Sequence, residues 1–130
     1  MILVDSSMWI DYFRAAPSPR RSRMEALIIG GGEVVLTEPV VMELLSGVRG
    51  SKELALVESV AERVPVVAID PSQDFRAAAE LARASRSNGH PIRSMVDCLI
   101  AAVAIRNGIP LLHDDRDYGY LAEVSPLRFA

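Results

Sequence analysis

Hydrophobic and polar positions alternate between short apolar runs and longer stretches of helical period. Ile2 to Val4 reads as a strand, and Asp5-Ser6-Ser7 behind it offers caps for a helix reaching about Phe13. Pro17 to Arg21 reads as a loop and Ser22 to Ile29 as a helix, stopped by Gly30-Gly31-Gly32 before a second strand at Val34 to Leu36. Thr37-Glu38-Pro39 opens a helix that carries Glu43 and ends near Gly47. Ser51 to Arg63 is helical, Val64 to Ile69 β-rich, and Pro71 to Ser87 a long helix, broken by Asn88-Gly89-His90-Pro91. Ser94 caps a helix to about Arg106, and Ile109 to Leu112 is a fourth strand. The acidic turn His113 to Asp117, a short helix from about Tyr118 to Ala122 and a last strand near Leu127 to Phe129 complete the order.

Strands separated by helices cannot join as hairpins, so they are expected to lie parallel, with right-handed crossovers and helices on both faces. The fold class expected is α/β, a three-layer α/β/α sandwich with a mainly parallel central sheet of about five strands. Ligands of such sheets bind beyond the carboxyl ends of the strands, where strand order reverses. Asp5 follows the first strand and Asp114, Asp115 and Asp117 follow the fourth, so both acidic groups are expected on one rim.

Composition narrows this picture. A chain of 130 residues, half of them hydrophobic and 24% charged, has the apolar content for one folded domain and is not a disordered segment. The strictly apolar stretch Cys98 to Ile105 is far shorter than the roughly 18 residues of a membrane span, and MILVD has no basic flank. Neither a membrane span nor a signal peptide is expected. One cysteine and two histidines exclude an intramolecular disulfide and leave little for a zinc site, which fits a reducing cytoplasm. A net charge of −3 does not by itself attract a polyanion, although a local basic patch can.

Asp97 carries the sharpest chemical signal. It is the one charged residue between Met95 and Ile105, in a helix with apolar side chains on every side. A carboxylate in such a place is paired, metal-coordinated, or neutralised by a raised pKa. Its wheel neighbours Ala101 and Ala104 leave room for an ion or substrate. The plainer reading is that Asp97, three residues after Ser94, complements the helix N-terminus. Asp5 is by the same logic an ordinary helix cap, Glu43 a solvated glutamate at the flank of the apolar face Val40 to Val48, and the acidic turn a surface cap.

Convergence changes the weighting. Like charges about 4 Å apart repel by roughly 4 kcal/mol per pair at an effective dielectric near 20, so carboxylates gathered from distant segments need an offsetting charge. Mg²⁺ or Mn²⁺, which prefers oxygen ligands, is the natural partner and belongs to phosphodiester chemistry.

The stretches MILVDSSMWIDYF, VVMELLSG and SMVDCLIAAVAIRNGIPLLHDDRDY, with the overall size, resemble the PIN-domain ribonucleases, and most closely the VapC toxins of type II toxin–antitoxin pairs. The resemblance spans nearly the whole chain. It implies catalytic acids at Asp5, Glu43, Asp97 and Asp115, with Asp5, Asp97, Asp115 and Asp117 holding metal and Glu43 holding a second metal or the attacking water. Ser6 stands where the family often has threonine, which implies a hydroxyl that orients Asp5 or water. His113 and Asp114 depart from the threonine and asparagine often found there. The implied reaction is metal-dependent RNA hydrolysis leaving 5′-phosphate and 3′-hydroxyl ends. The implied partners are an RNA substrate, a cognate antitoxin of the VapB type and a second copy of the chain in a homodimer.

Thirteen of the fourteen basic residues are arginine, and Arg14, Arg20, Arg21 and Arg23 form a candidate RNA-phosphate cluster beside the alternative of plain solvated charges. The apolar face Val40 to Val48 is core or, alternatively, a contact for a partner. Two other function classes lack residues that they need. A receiver-type phosphoacceptor needs a lysine near the last strands, where this chain has only Lys52, far upstream; a haloacid-dehalogenase-like phosphatase needs an aspartate at the position of Ser7. A non-catalytic PIN adaptor is the remaining alternative, opposed by the retention of all four acidic positions.

Overall fold

The computed structural model describes residues 1–14 and 17–130. The first strand, β1 (Ile2–Val4), runs into helix α1 (Ser6–Phe13) through Asp5, whose carboxylate accepts the Ser7 N–H as an N-cap. Helix α2 (Pro19–Ile29) starts three residues before the expected Ser22. Ser18 Oγ accepts the Arg21 N–H at 3.0 Å and Pro19 occupies the first helical position, so the Ser-Pro pair read as loop is a helix start. Strand β2 (Val34–Val35) leads to α3 (Glu38–Ser46) and α4 (Ser51–Arg63).

Three further helices follow: α5 (Asp74–Ser87), α6 (Met95–Asn107) and, after strand β3 (Leu111–Leu112), α7 (Arg116–Glu123). Helix α5 begins three residues later than expected because the Asp70 carboxylate gathers the N–H and hydroxyl of Ser72 and the amide of Gln73 into a turn. Gly108, at φ 63°, ends α6 in the left-handed conformation that glycine takes without strain. Helix α7 starts before Tyr118 because Asp115 caps it, accepting the Asp117 N–H at 3.0 Å.

Among the described residues, the sheet has three strands in the order β2-β1-β3, all parallel, with Ile2 opposite Val34 and Leu3 opposite Leu111. The two outer strands read from the sequence are each reduced to one parallel bridge, Leu36 with Val66 and Leu111 with Phe129. Val66 lies beside Pro65, which has no N–H to donate, and the Ile69 N–H is taken by the Glu38 carboxylate at 2.9 Å instead of a neighbouring strand. The chain steps from β1 to β2 and the Val66 segment in one direction, then returns across the sheet to β3. Right-handed crossovers in opposite directions put helices on opposite faces. The packing agrees: α1 contacts α2, α3 and α4, while α5, α6 and α7 contact one another and α3 meets α6 beside the sheet, the expected α/β/α layering.

Leu3, Val4, Trp9, Met24, Leu36 and Leu111 are among the side chains buried at the centre. Helix α6 is enclosed as its composition predicts, with Cys98 and every residue from Ile100 to Ala104 buried. Among the described residues, no helix is long and apolar enough to cross a membrane.

Candidate metal centre

Strand order reverses between β1 and β3, and the carboxyl ends of these two strands carry Asp5 and the turn His113 to Asp117. Helix α6 brings Asp97 from the interior and α3 brings Glu43 from the side. One carboxylate oxygen each from Asp5, Glu43 and Asp97 lie within 4.8 Å of one another, and so do one each from Asp97, Asp115 and Asp117. All five acidic positions implied by the resemblance therefore stand in one cluster, with Asp97 common to both triads. Asp5, Asp97 and Asp117 are buried, while Glu43 and Asp115 are half-buried at its mouth.

Asp5 is fixed at both oxygens. Its Oδ2 accepts the Ser7 N–H at 3.0 Å and the Ser7 hydroxyl at 2.6 Å, and its Oδ1 accepts the Tyr118 hydroxyl at 2.7 Å. Asp5 is thus both the helix cap of the plain reading and a member of the cluster. Ser7 Oγ in turn accepts the Asp114 N–H at 3.0 Å, which ties the β1 end to the β3 end. The Ser6 hydroxyl does not reach Asp5; it donates to Glu43 Oε1 at 3.1 Å, so the two consecutive serines hold different carboxylates. Ser94 occupies the N-cap of α6 without a side-chain hydrogen bond, and Asp97 faces the other carboxylates from the first turn.

The electrostatics follow from this crowding. Burial, then Asp5, Asp115 and Glu43, push the Asp97 carboxyl up to about 7. Burial and Asp5 also raise Glu43, against the Ser6 hydrogen bond that lowers it. Burial and the neighbouring Asp97 and Asp117 push the Cys98 thiol up to about 11, so it is no nucleophile. Burial holds His113 below its ordinary value, and its Nδ1 accepts the Asp115 N–H at 3.1 Å, which a neutral ring can do.

The donor set fits a hard divalent cation. Every candidate ligand atom is a carboxylate oxygen, and the repulsion that raises Asp97 is what a cation relieves. Asp114, by contrast, is exposed and turned to Arg20 at 2.9 Å.

The arginine cluster is not a free patch. Arg20 bridges Asp11 at 3.0 Å and Asp114, while Arg21 pairs with Glu25 at 2.9 Å and donates to the Arg14 carbonyl. Arg23 is exposed. The face Val40 to Val48 is largely core: Val40 and Leu44 are buried, and Val41, Leu45 and Val48 pack partly against the same cluster.

Sequence reasoning passed over Ser7, Tyr118 and Arg93. Tyr118 is fully buried, and its hydroxyl also lies 3.4 Å from Asp97 Oδ1. Its signal was available, because a tyrosine three residues after a cluster aspartate, on a short helix, points to the same side. Arg93 reaches Asp117 Oδ2 and Asp115 Oδ1 from the loop before α6, a contact no local pattern announces.

Residues 2–124 match the PIN domain family model. Over its whole length the chain is 38% identical to VapC ribonuclease Mb1587 of Mycobacterium bovis and to Ribonuclease VapC11 of Mycobacterium tuberculosis, covering 98% of each. Among solved structures, it superposes on DNA-bound VapBC from Salmonella typhimurium with a TM-score of 0.75 at 20% identity, covering 99% of this chain and 96% of that one. It superposes on Mycobacterium tuberculosis VapC20, described as a Sarcin-Ricin loop cleaving toxin, with a TM-score of 0.74 at 22% identity, covering 98% and 99%. These matches agree with the parallel sheet, the α/β/α layering and the acidic cluster: the chain belongs to the PIN-domain family, among its VapC members.

Proposed function

We propose that the chain is a divalent-metal-dependent endoribonuclease and the toxin of a type II toxin–antitoxin pair, working in the cytoplasm as a single PIN unit. The observation that carries this is Asp97, a buried carboxylate shared by two all-oxygen triads at the sheet's switch point. The full-length similarity to VapC ribonucleases supports RNA as the substrate, and the VapBC complex of like fold supports a VapB-like antitoxin as the partner; a homodimer is the assembly we propose.

Asp5, Asp97, Asp115 and Asp117 would hold Mg²⁺ or Mn²⁺. Bound there, the cation supplies a water of lowered pKa and positive charge at the phosphate oxygens. Ser7 and Tyr118 hold Asp5 in one orientation from both of its oxygens, so the site is rigid before substrate arrives. Glu43, with Oε1 tied to Ser6, would hold a second ion or orient the attacking water.

The purified chain, incubated with RNA and Mg²⁺ or Mn²⁺, is expected to cut internally and leave 5′-phosphate ends; chelator and Asp97→Asn are each expected to stop it. Cutting that survives both would overturn the site, and intact RNA under every metal would favour the adaptor reading.

A further inference from the structure

Arg93 differs from the other arginines that pair with carboxylates across the fold, Arg20 near the cluster and Arg106 at the far end of α6. Arg20 is committed to Asp11 and Asp114 at 3.0 and 2.9 Å, and Arg106 to Asp74 at 2.8 and 2.9 Å with a third bond to the Ala68 carbonyl. Arg93 instead lies 3.4 Å from Asp117 Oδ2 through Nε and 3.9 Å from Asp115 Oδ1 through Nη2, with its side chain 69% exposed. Charge-assisted pairs of this kind close to about 2.7 to 2.9 Å when they are made for their own sake. The guanidinium is therefore held near the carboxylates without being consumed by them.

The backbone beneath it is well anchored. Ser85 Oγ donates to the His90 carbonyl at 2.6 Å, and the His90 N–H donates to the Ser85 carbonyl at 2.9 Å. The His90 ring stacks on Tyr120 of α7 with centroids 4.0 Å apart and planes within 4°. The Arg93 N–H itself points to Asp117 Oδ2 at 3.4 Å. A fixed loop with a loosely held planar cation at the mouth of a carboxylate cluster suits a polyanion whose phosphate must come within reach of those carboxylates.

We propose that Arg93 is the substrate-positioning arginine of this site, its guanidinium binding a phosphate of single-stranded RNA next to the bond presented to the acidic cluster. This assignment rests on the ribonuclease reading. Asp115 and Asp117 hold the side chain close to its working place, and phosphate oxygens offer the planar fork the bidentate partner that these two carboxylates do not.

The test compares wild type, Arg93→Ala and Arg93→Lys for binding of a fluorescent single-stranded RNA across a salt series with Ca²⁺ present, and for Mn²⁺-induced thermal stabilisation without RNA. The proposal expects Arg93→Ala to bind RNA about ten-fold more weakly or worse, with Arg93→Lys recovering part of the loss. It also expects the salt dependence, as log K against log salt, to flatten by about 0.7, the share of one single-strand phosphate contact, with Mn²⁺ stabilisation retained. Wild-type RNA affinity and slope in Arg93→Ala, in a wild type that binds RNA, would overturn the Arg93 assignment alone. Loss of Mn²⁺ stabilisation with an unchanged slope would make the residue a support of Asp117 and equally overturn it. A wild type that takes up Mn²⁺ but neither binds nor cuts RNA would overturn the ribonuclease reading with it.

Discussion

The Tyr118 hydroxyl donates to Asp5 Oδ1 at 2.7 Å, joining the first residue after β1 to a helix 113 positions later. The bond is buried, and burial together with Asp5 and Asp97 pushes the phenol far above its ordinary value. Tyr118 is a permanent donor there, and it is the neutral group that offsets part of the carboxylate crowding. Tyr118→Phe removes that donor and is expected to cost about 1 to 3 kcal/mol of stability. Chemical denaturation of the metal-free protein measures it, and a variant as stable as wild type would show that the bond stabilises nothing.

Removing one of the repelling charges acts in the opposite direction. Asp97→Asn is expected to leave the metal-free protein as stable or more stable, by up to about 2 kcal/mol, and to abolish RNA cleavage. Thermal melts without metal and a cleavage assay with it give both halves.

The metal dependence of stability is linked to the same residue. Mn²⁺ at 100 times its dissociation constant is expected to stabilise the wild type by about 2.7 kcal/mol, as any ligand selective for the native state does. The same addition to Asp97→Asn is expected to move the melting temperature far less, because both triads share that carboxylate.

The pH dependence has a definite sign. Asp97 titrates near 7 in the folded chain and near 4 when unfolded, so between these values the native state holds the extra proton. Stability contributed by this group is therefore present at acid pH and lost as pH rises through about 7. His113, held below its ordinary value by burial, opposes the trend at the acid end. The difference between wild type and Asp97→Asn, both without metal, isolates the first effect: the variant's advantage is expected to grow from pH 5 to pH 8. An advantage that shrinks over that range contradicts the assigned cause.

A fourth buried carboxylate offers a control with no part in the cluster. Asp74 is nearly inaccessible; burial works against its charge, but Arg106 and the Asp70 N–H hold its carboxyl below the usual range. Arg106→Ala strands that charge and is expected to destabilise by about 2 to 4 kcal/mol, with or without Mn²⁺, while the folded fraction keeps its cleavage activity. Paired urea titrations test the first statement and active-site-normalised rates the second.

How far the residues could be read in advance depended on the range of the forces involved. Periodicity and capping located the seven helices of the described residues, because both act within a few neighbours along the chain. The starts of α2, α5 and α7 shifted by two or three residues, where Ser18, Asp70 and Asp115 each offered a side-chain oxygen to nearby N–H groups. The strand expected over Val64 to Ile69 was reduced to one bridge because Glu38, 31 positions from Ile69, takes an N–H that a ladder needs.

By itself the sequence determined the alternation that makes parallel strands, the enclosure of α6, and the anomaly of one carboxylate inside it. Those follow from composition and spacing, which need no knowledge of neighbours in space. Only the tertiary structure decided that Ser6 holds Glu43 while Ser7 holds Asp5, that Tyr118 lies beneath two carboxylates, and that Arg93 rather than Arg20 keeps a loosely held guanidinium beside them. Hydrogen bonds and charge pairs between distant segments act over a few ångströms, and folding alone sets which atoms come that close.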